Sequence, residues 1–182
     1  MKTIPSCLCR FLLIAVVFAL MSMPAFAALY EGESAPVFTG HDQDGKKFKL
    51  EPKIGKEFVL LYFYPKDDTG GSIAGAVALR DRMLELKRRD VSVVGISFDK
   101  AKSLKKFSFK YNLNFPLLAD TCGEITDAYG MRMWPRREMA RPVSVLIDLN
   151  GKIARVTDSP DPAVQMREME TALNRLEALS SK

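Results

Sequence analysis

The chain has 182 residues, 47% of them hydrophobic, with 27 Lys and Arg against 22 Asp and Glu and a formal net charge of +5. That length and apolar share suit one domain with a real core and exclude a disordered or low-complexity chain. The basic excess is too slight to define a nucleic-acid surface. Lys102, Lys105, Lys106 and Lys110 read as the solvated side of a helix, without aromatic residues set among them as a stacking surface needs.

The N-terminus carries Lys2 and Arg10, an apolar run from Phe11 to Met21, and then Pro24-Ala25-Phe26-Ala27. A basic start, a short apolar core and small residues at a cleavage point make a secretory signal peptide, cut after Ala27. The rival is a retained anchor, but the run to Ala28 is only just long enough to span, and Ser22 and Pro24 interrupt its end. Cleavage leaves one domain, residues 28–182, exported to the periplasm or secreted, with no membrane attachment. It also removes Cys7 and Cys9, so Cys122 remains alone and the fold is not stapled by a disulfide.

Along the rest of the chain, residues 37–49 predict a small hairpin turning near Asp44-Gly45. Phe58 to Tyr64 is a continuous apolar and aromatic run, the mark of a central buried strand. A loop over 65–71 leads to a helix from Ile73 to Arg89, with Ala76, Leu79, Met83 and Leu86 on its buried face. Val91 to Phe98 is a second strand, so strand, helix and strand form a parallel crossover unit. Leu104, Phe107 and Tyr111 mark the next helix, and Phe115-Pro116-Leu117-Leu118 a short extended piece. A short helix over 121–129 is expected to use Thr121 and Glu124 as a capping box and to end at Gly130. Val143 to Leu149 is a strand, joined by a two-residue turn at Asn150-Gly151 to a strand over 152–157. A last helix runs from about Asp161 to Leu179 with Met166, Met169, Leu173 and Leu176 inward. The sum is an α/β fold, a mixed central sheet with helices on both faces.

The segment Leu60 to Ser72 resembles the active-site segment of the peroxiredoxins, the alkyl hydroperoxide reductase/thiol-specific antioxidant family. Pro65 and Thr69 stand at the spacing of that family's Pro-x-x-x-Thr-x-x-Cys, and Ser72 falls at the cysteine. Further matches follow in order: Glu33 to Phe38, Val94-Gly95-Ile96-Ser97 with Asp99, Phe115 to Asp120, Ala128-Tyr129-Gly130, and Leu146-Ile147-Asp148 with Gly151. Together they cover nearly all of the chain after the leader and are most similar to the bacterioferritin-comigratory, or Q-type, members. The resemblance implies a thioredoxin-like fold, antioxidant hydroperoxide reduction by a cysteine, and a thiol reductant or protein partner, with no cofactor or metal expected. The oligomeric state is left open.

The same resemblance gives Thr69 the task of orienting peroxide and Pro65 that of shielding the pocket. Its departures cluster there. Gly70, Gly75 and Val77 stand where proline, glutamate and a resolving cysteine are usual, and Pro142 falls where the family arginine belongs. Arg141 is adjacent, but one residue along a strand turns a side chain to the other face. Pro142 is also similar to the cis-proline of thioredoxins. A serine cannot climb the thiol oxidation ladder, so peroxidase activity is expected to be lost, leaving a binding or interaction module.

Several readings of Ser72 remain open: a helix N-cap, an anion site with Gly70 and Gly71, or a hydrolase nucleophile with His41 as base. Cys122 is the alternative reactive group, a thiol at the start of the short helix, against the plainer reading of a partly buried loop residue. Trp134 is expected to pack near the site or in the core.

Overall fold

A computed structural model describes residues 29–180. The expected leader and its cleavage point lie outside the described residues. Among the described residues no helix is long and apolar enough to cross a membrane.

The first hairpin pairs β1, Thr39–His41, with β2, Lys47–Lys49, in antiparallel register. The Asp42 carboxylate holds its turn, accepting bonds from the N–H groups of Asp44 (2.9 Å) and Lys46 (2.8 Å). The main sheet contains β3, Phe58–Phe63, β4, Val91–Ser97, β5, Leu117–Ala119, β6, Val143–Ile147, and β7, Ile153–Asp158. Its order is β5-β4-β3-β6-β7, with β3, β4 and β5 parallel and β6 and β7 antiparallel to their neighbours. Every residue of β3 is buried because both faces of the sheet are covered. Phe58, Leu60 and Tyr62 enter one core, and Val59, Leu61 and Phe63 the other.

On the first face lie α1, Gly70–Arg88, α2, Ala101–Lys110, and α4, Pro162–Ser180. The inward stripe of α1 contains Ala76, Leu79, Met83 and Leu86, as the spacing predicts, and extends back through Gly75 and Ser72. Arg89, just beyond α1, fastens it to α4 through Glu177 (2.8 Å) and Asn174 (2.6 Å). The second face carries the hairpin, the short α3, Glu124–Ala128, and Tyr129. Helices do cover both faces, but unequally.

Three local expectations are corrected. The turn before β7 has three residues, Leu149 to Gly151, because Asp148 N–H reaches Lys152 O at 2.8 Å and Gly151 takes the left-handed φ of +71°. Thr121 does not cap α3. The buried Asp120 does so instead, accepting from the N–H groups of Ile125 (3.2 Å) and Thr126 (2.8 Å) and from the Thr126 hydroxyl (2.7 Å). Trp134 is not core: it is 74% exposed, with the Arg137 guanidinium 4.8 Å from its ring centre.

Candidate functional site

The chain leaves β3 through the buried Tyr64 and makes a tight loop before α1. Asp68 takes a left-handed conformation, φ 60°, and anchors the loop to the end of α2 through Lys110 Nζ (2.7 Å) and the Tyr111 hydroxyl (2.7 Å). Those hydrogen bonds hold the Asp68 carboxyl below its ordinary range. Asp67 turns inward. Its N–H donates to Asp99 Oδ2 (2.8 Å), and its Oδ1 accepts from the Tyr64 hydroxyl (3.1 Å). Its Oδ2 is buried with no hydrogen-bond partner. Desolvation, then the Asp99 charge, push the Asp67 carboxyl up from 3.8 to about 6. Burial, followed by the Asp67 charge, holds the Tyr64 phenol far above its usual value, so it remains a donor.

Thr69 is the N-cap residue of α1, so Ser72 is not a cap. The helix starts one turn earlier than its apolar periodicity indicates, since Gly70 and Gly71 open it without an apolar side chain. Ser72 lies three residues inside, 2% exposed. Its Oγ is 2.8 Å from Thr69 Oγ1, which is also 3.1 Å from Lys66 O. The single Thr69 proton can serve only one of these contacts, so a relay from Ser72 through Thr69 to Lys66 satisfies all three groups. Gly75 is required by packing: a Cβ there would lie 2.1 Å from the Tyr62 hydroxyl and 2.7 Å from its ring.

The other expected partners are not brought to Ser72. The Arg141 guanidinium is held by Asp158 (2.5 Å) and Gly130 O (3.3 Å), and Arg141 lies ahead of β6 rather than on it. The cis peptide is Trp134–Pro135, not the bond before Pro142, which removes the thioredoxin likeness there. His41 is exposed on the hairpin, whose core lies across the sheet from α1, so no serine–histidine pair forms. Pro65, half-buried, lines an open hollow of about 1020 Å³ that also contains Cys122. Cys122 is exposed, in the turn before α3 rather than on the helix, and its carbonyl accepts from Arg132 Nη2 at 3.4 Å.

Sequence reasoning missed Asp67. Its neighbours Lys66 and Asp68 are exposed, and its partner Asp99 sits on a later loop. The Gly75–Tyr62 contact had one available signal, a glycine inside a helix stripe. Among the described residues, no three His, Cys, Asp or Glu side chains converge as a metal would need.

The parallel–antiparallel sheet, the helix that follows its central strand across a tight loop, and the loops at that strand's end define a thioredoxin-like protein. The AhpC/TSA family model matches residues 32–156. The chain is 40% identical over 137 residues to peroxiredoxin Bcp of Escherichia coli, covering 71% of this chain and 86% of that protein. It is 40% identical over 131 residues to chloroplastic peroxiredoxin Q of Sedum lineare, covering 72% and 70%. Peroxidoxin BcpB from Mycobacterium tuberculosis has the same fold, at TM-score 0.75 and 24% identity over 81% of this chain and 98% of that one. The reduced 2-Cys peroxiredoxin of Plasmodium vivax superposes at TM-score 0.69 with 28% identity, covering 84% and 82%. The chain belongs to the peroxiredoxin (AhpC/TSA) family, on the Bcp/Q-type side, whose reaction is thiol-dependent reduction of peroxides.

Proposed function

We propose that this is an exported peroxiredoxin-family protein in which Ser72 occupies the nucleophile's position and peroxide turnover is lost, leaving a binding or interaction module. The observation that carries the reading is the state of the Ser72 hydroxyl. It is buried, neutral and satisfied by Thr69, and Arg141 is committed to Asp158. Peroxide reduction requires an atom that accepts the terminal oxygen and is then restored by a thiol. Sulfur does this through a sulfenic acid; a serine oxygen has no equivalent. The test is hydrogen peroxide consumption with a thiol reductant by wild type, Ser72→Ala and Cys122→Ser. All three should run at background. Export predicts Ala28 as the N-terminus of the protein recovered outside the cytoplasm; an intact chain in the membrane fraction would support the anchor.

A second reading makes the protein a thiol-dependent oxidoreductase acting through Cys122. Its support is the exposure of that thiol in an open hollow. With no second cysteine after the leader, restoring it requires an external thiol reductant or a protein partner. Robust turnover that vanishes in Cys122→Ser would falsify the non-catalytic reading.

A further inference from the structure

We infer that the hollow beside Cys122 is a binding site for a small organic dianion, its double negative charge carried by carboxylate or phosphate on an apolar body. This inference stands independently of whether Ser72 or Cys122 turns over peroxide. At about 1020 Å³, the hollow is large enough for a ligand of that kind. It lies among the loop after β3, the start of α2, the turn before α3 and residues 132–139.

Its charge is unbalanced. Lys66, Lys100, Arg136 and Arg137 line it, and no ion pair joins any of them to a carboxylate among the described residues. The two acidic side chains on the wall do not cancel them. Asp99, partly exposed on the wall, commits its Oδ2 inward, accepting from Asp67 N–H (2.8 Å) and the Ser97 hydroxyl (3.2 Å). With Glu138 it sets two carboxylates against four cations.

Lys102 and Lys106 on α2 also carry no ion pair among the described residues, but neither lines the hollow; other nearby cations are matched, Lys105 by Asp44 at 3.0 Å, Lys110 by Asp68 at 2.7 Å and Arg141 by Asp158 at 2.5 Å. Arg132 is matched as well. Asp127 grips its guanidinium at 2.5 and 2.6 Å, the Arg137 carbonyl accepts from it, and it stacks 4.8 Å from the centre of Phe98. It therefore builds the wall rather than binding the guest. Arg137 is pre-placed over Trp134, and an arginine fork meets carboxylate or phosphate bidentately. Pro65, Pro135 and Met139 supply apolar surface between the charges.

The test is calorimetric titration of the purified protein with phthalate and with phenyl phosphate, using benzyltrimethylammonium as the cationic control. The sole tryptophan, Trp134, is an independent fluorescence reporter. At least one dianion should bind and change the Trp134 emission, and the tighter of the two identifies the head group, carboxylate or phosphate. The double variant Lys100→Glu/Arg136→Glu should bind tenfold or more weakly with an unchanged melting temperature. Lys106→Glu, exposed elsewhere on α2, should bind as wild type. No binding of either dianion, equal binding of the cation, or undiminished binding by the double variant would overturn the assignment.

Discussion

Ser72, in the first turn of the helix after β3, and Cys122, in the turn after β5, both follow strands of the same sheet, yet the fold treats them oppositely. Ser72 belongs to the stripe of α1 that faces β3, so the packing that stabilises the helix also seals its hydroxyl at 2% exposure. Cys122 sits in a turn ahead of a five-residue helix whose first N–H groups are taken by Asp120, and it is left exposed among uncompensated cations. Helix register, more than residue type, separates the closed site from the open one.

The comparison can be broken most forcefully by moving the thiol. In a Ser72→Cys/Cys122→Ser protein, iodoacetamide labelling at residue 72 should be about a hundredfold or more slower than wild-type labelling at Cys122, because alkylation needs an accessible thiolate. Peptide mapping reads each position separately, and the two rates should converge in urea. Equal rates in the folded protein would mean that the first turn of α1 opens freely and that the two regions do not differ as described.

Gly75→Ala sharpens the closed side. The new methyl would collide with the Tyr62 hydroxyl and ring, so α1 must shift or Tyr62 must leave its rotamer, a loss of about 2–3 kcal/mol in urea unfolding. Tyr62→Phe in the same chain should recover only part of that, since a ring carbon remains 2.7 Å away. An unchanged denaturation midpoint for Gly75→Ala would show that the helix start is loosely packed.

Asp67 joins the two regions, since it follows Pro65 and Lys66 on the hollow and precedes Thr69. Its folded pKa of about 6 lies above the ordinary 3.8. Between those values the folded state holds a proton that the unfolded state has released, so stability falls as pH rises through that window. Asp67→Asn should flatten this dependence and stabilise the protein at pH 8 by on the order of 1–2 kcal/mol. Parallel stability–pH curves for variant and wild type would place the buried charge elsewhere.

What the sequence made legible is periodic. The run from Phe58 to Tyr64, short, aromatic and continuously apolar, has the signature of a strand covered on both faces, and residues 76, 79, 83 and 86 repeat at the spacing of one helix side. The Thr69–Ser72 contact was not legible in this way: apolar periodicity starts the helix at Ile73, and Gly70 and Gly71 carry no side chain that would extend it back to Thr69. The misreadings depend on tertiary context. Asp120 wins the cap of α3 over Thr121 because it is buried, which no local pattern encodes. Trp134 looks like core by its apolar area, but Arg132, Arg136 and Arg137 around it keep its segment at the surface. The inward turn of Asp67 awaits Asp99.

The pairing of β3 has a consequence for how the chain assembles. One neighbour, β4, follows after a single helix, but the other, β6, brings Val143 opposite Phe63 only after β4, α2, β5 and α3 have been made. A nascent chain that stops short of Val143 therefore carries its most apolar strand with one hydrogen-bonding edge open, a template for another unfinished copy. Completion depends on late, long-range closure, which is slow, and holding the chain unfolded until the segment from Val143 onward emerges suppresses that competing association.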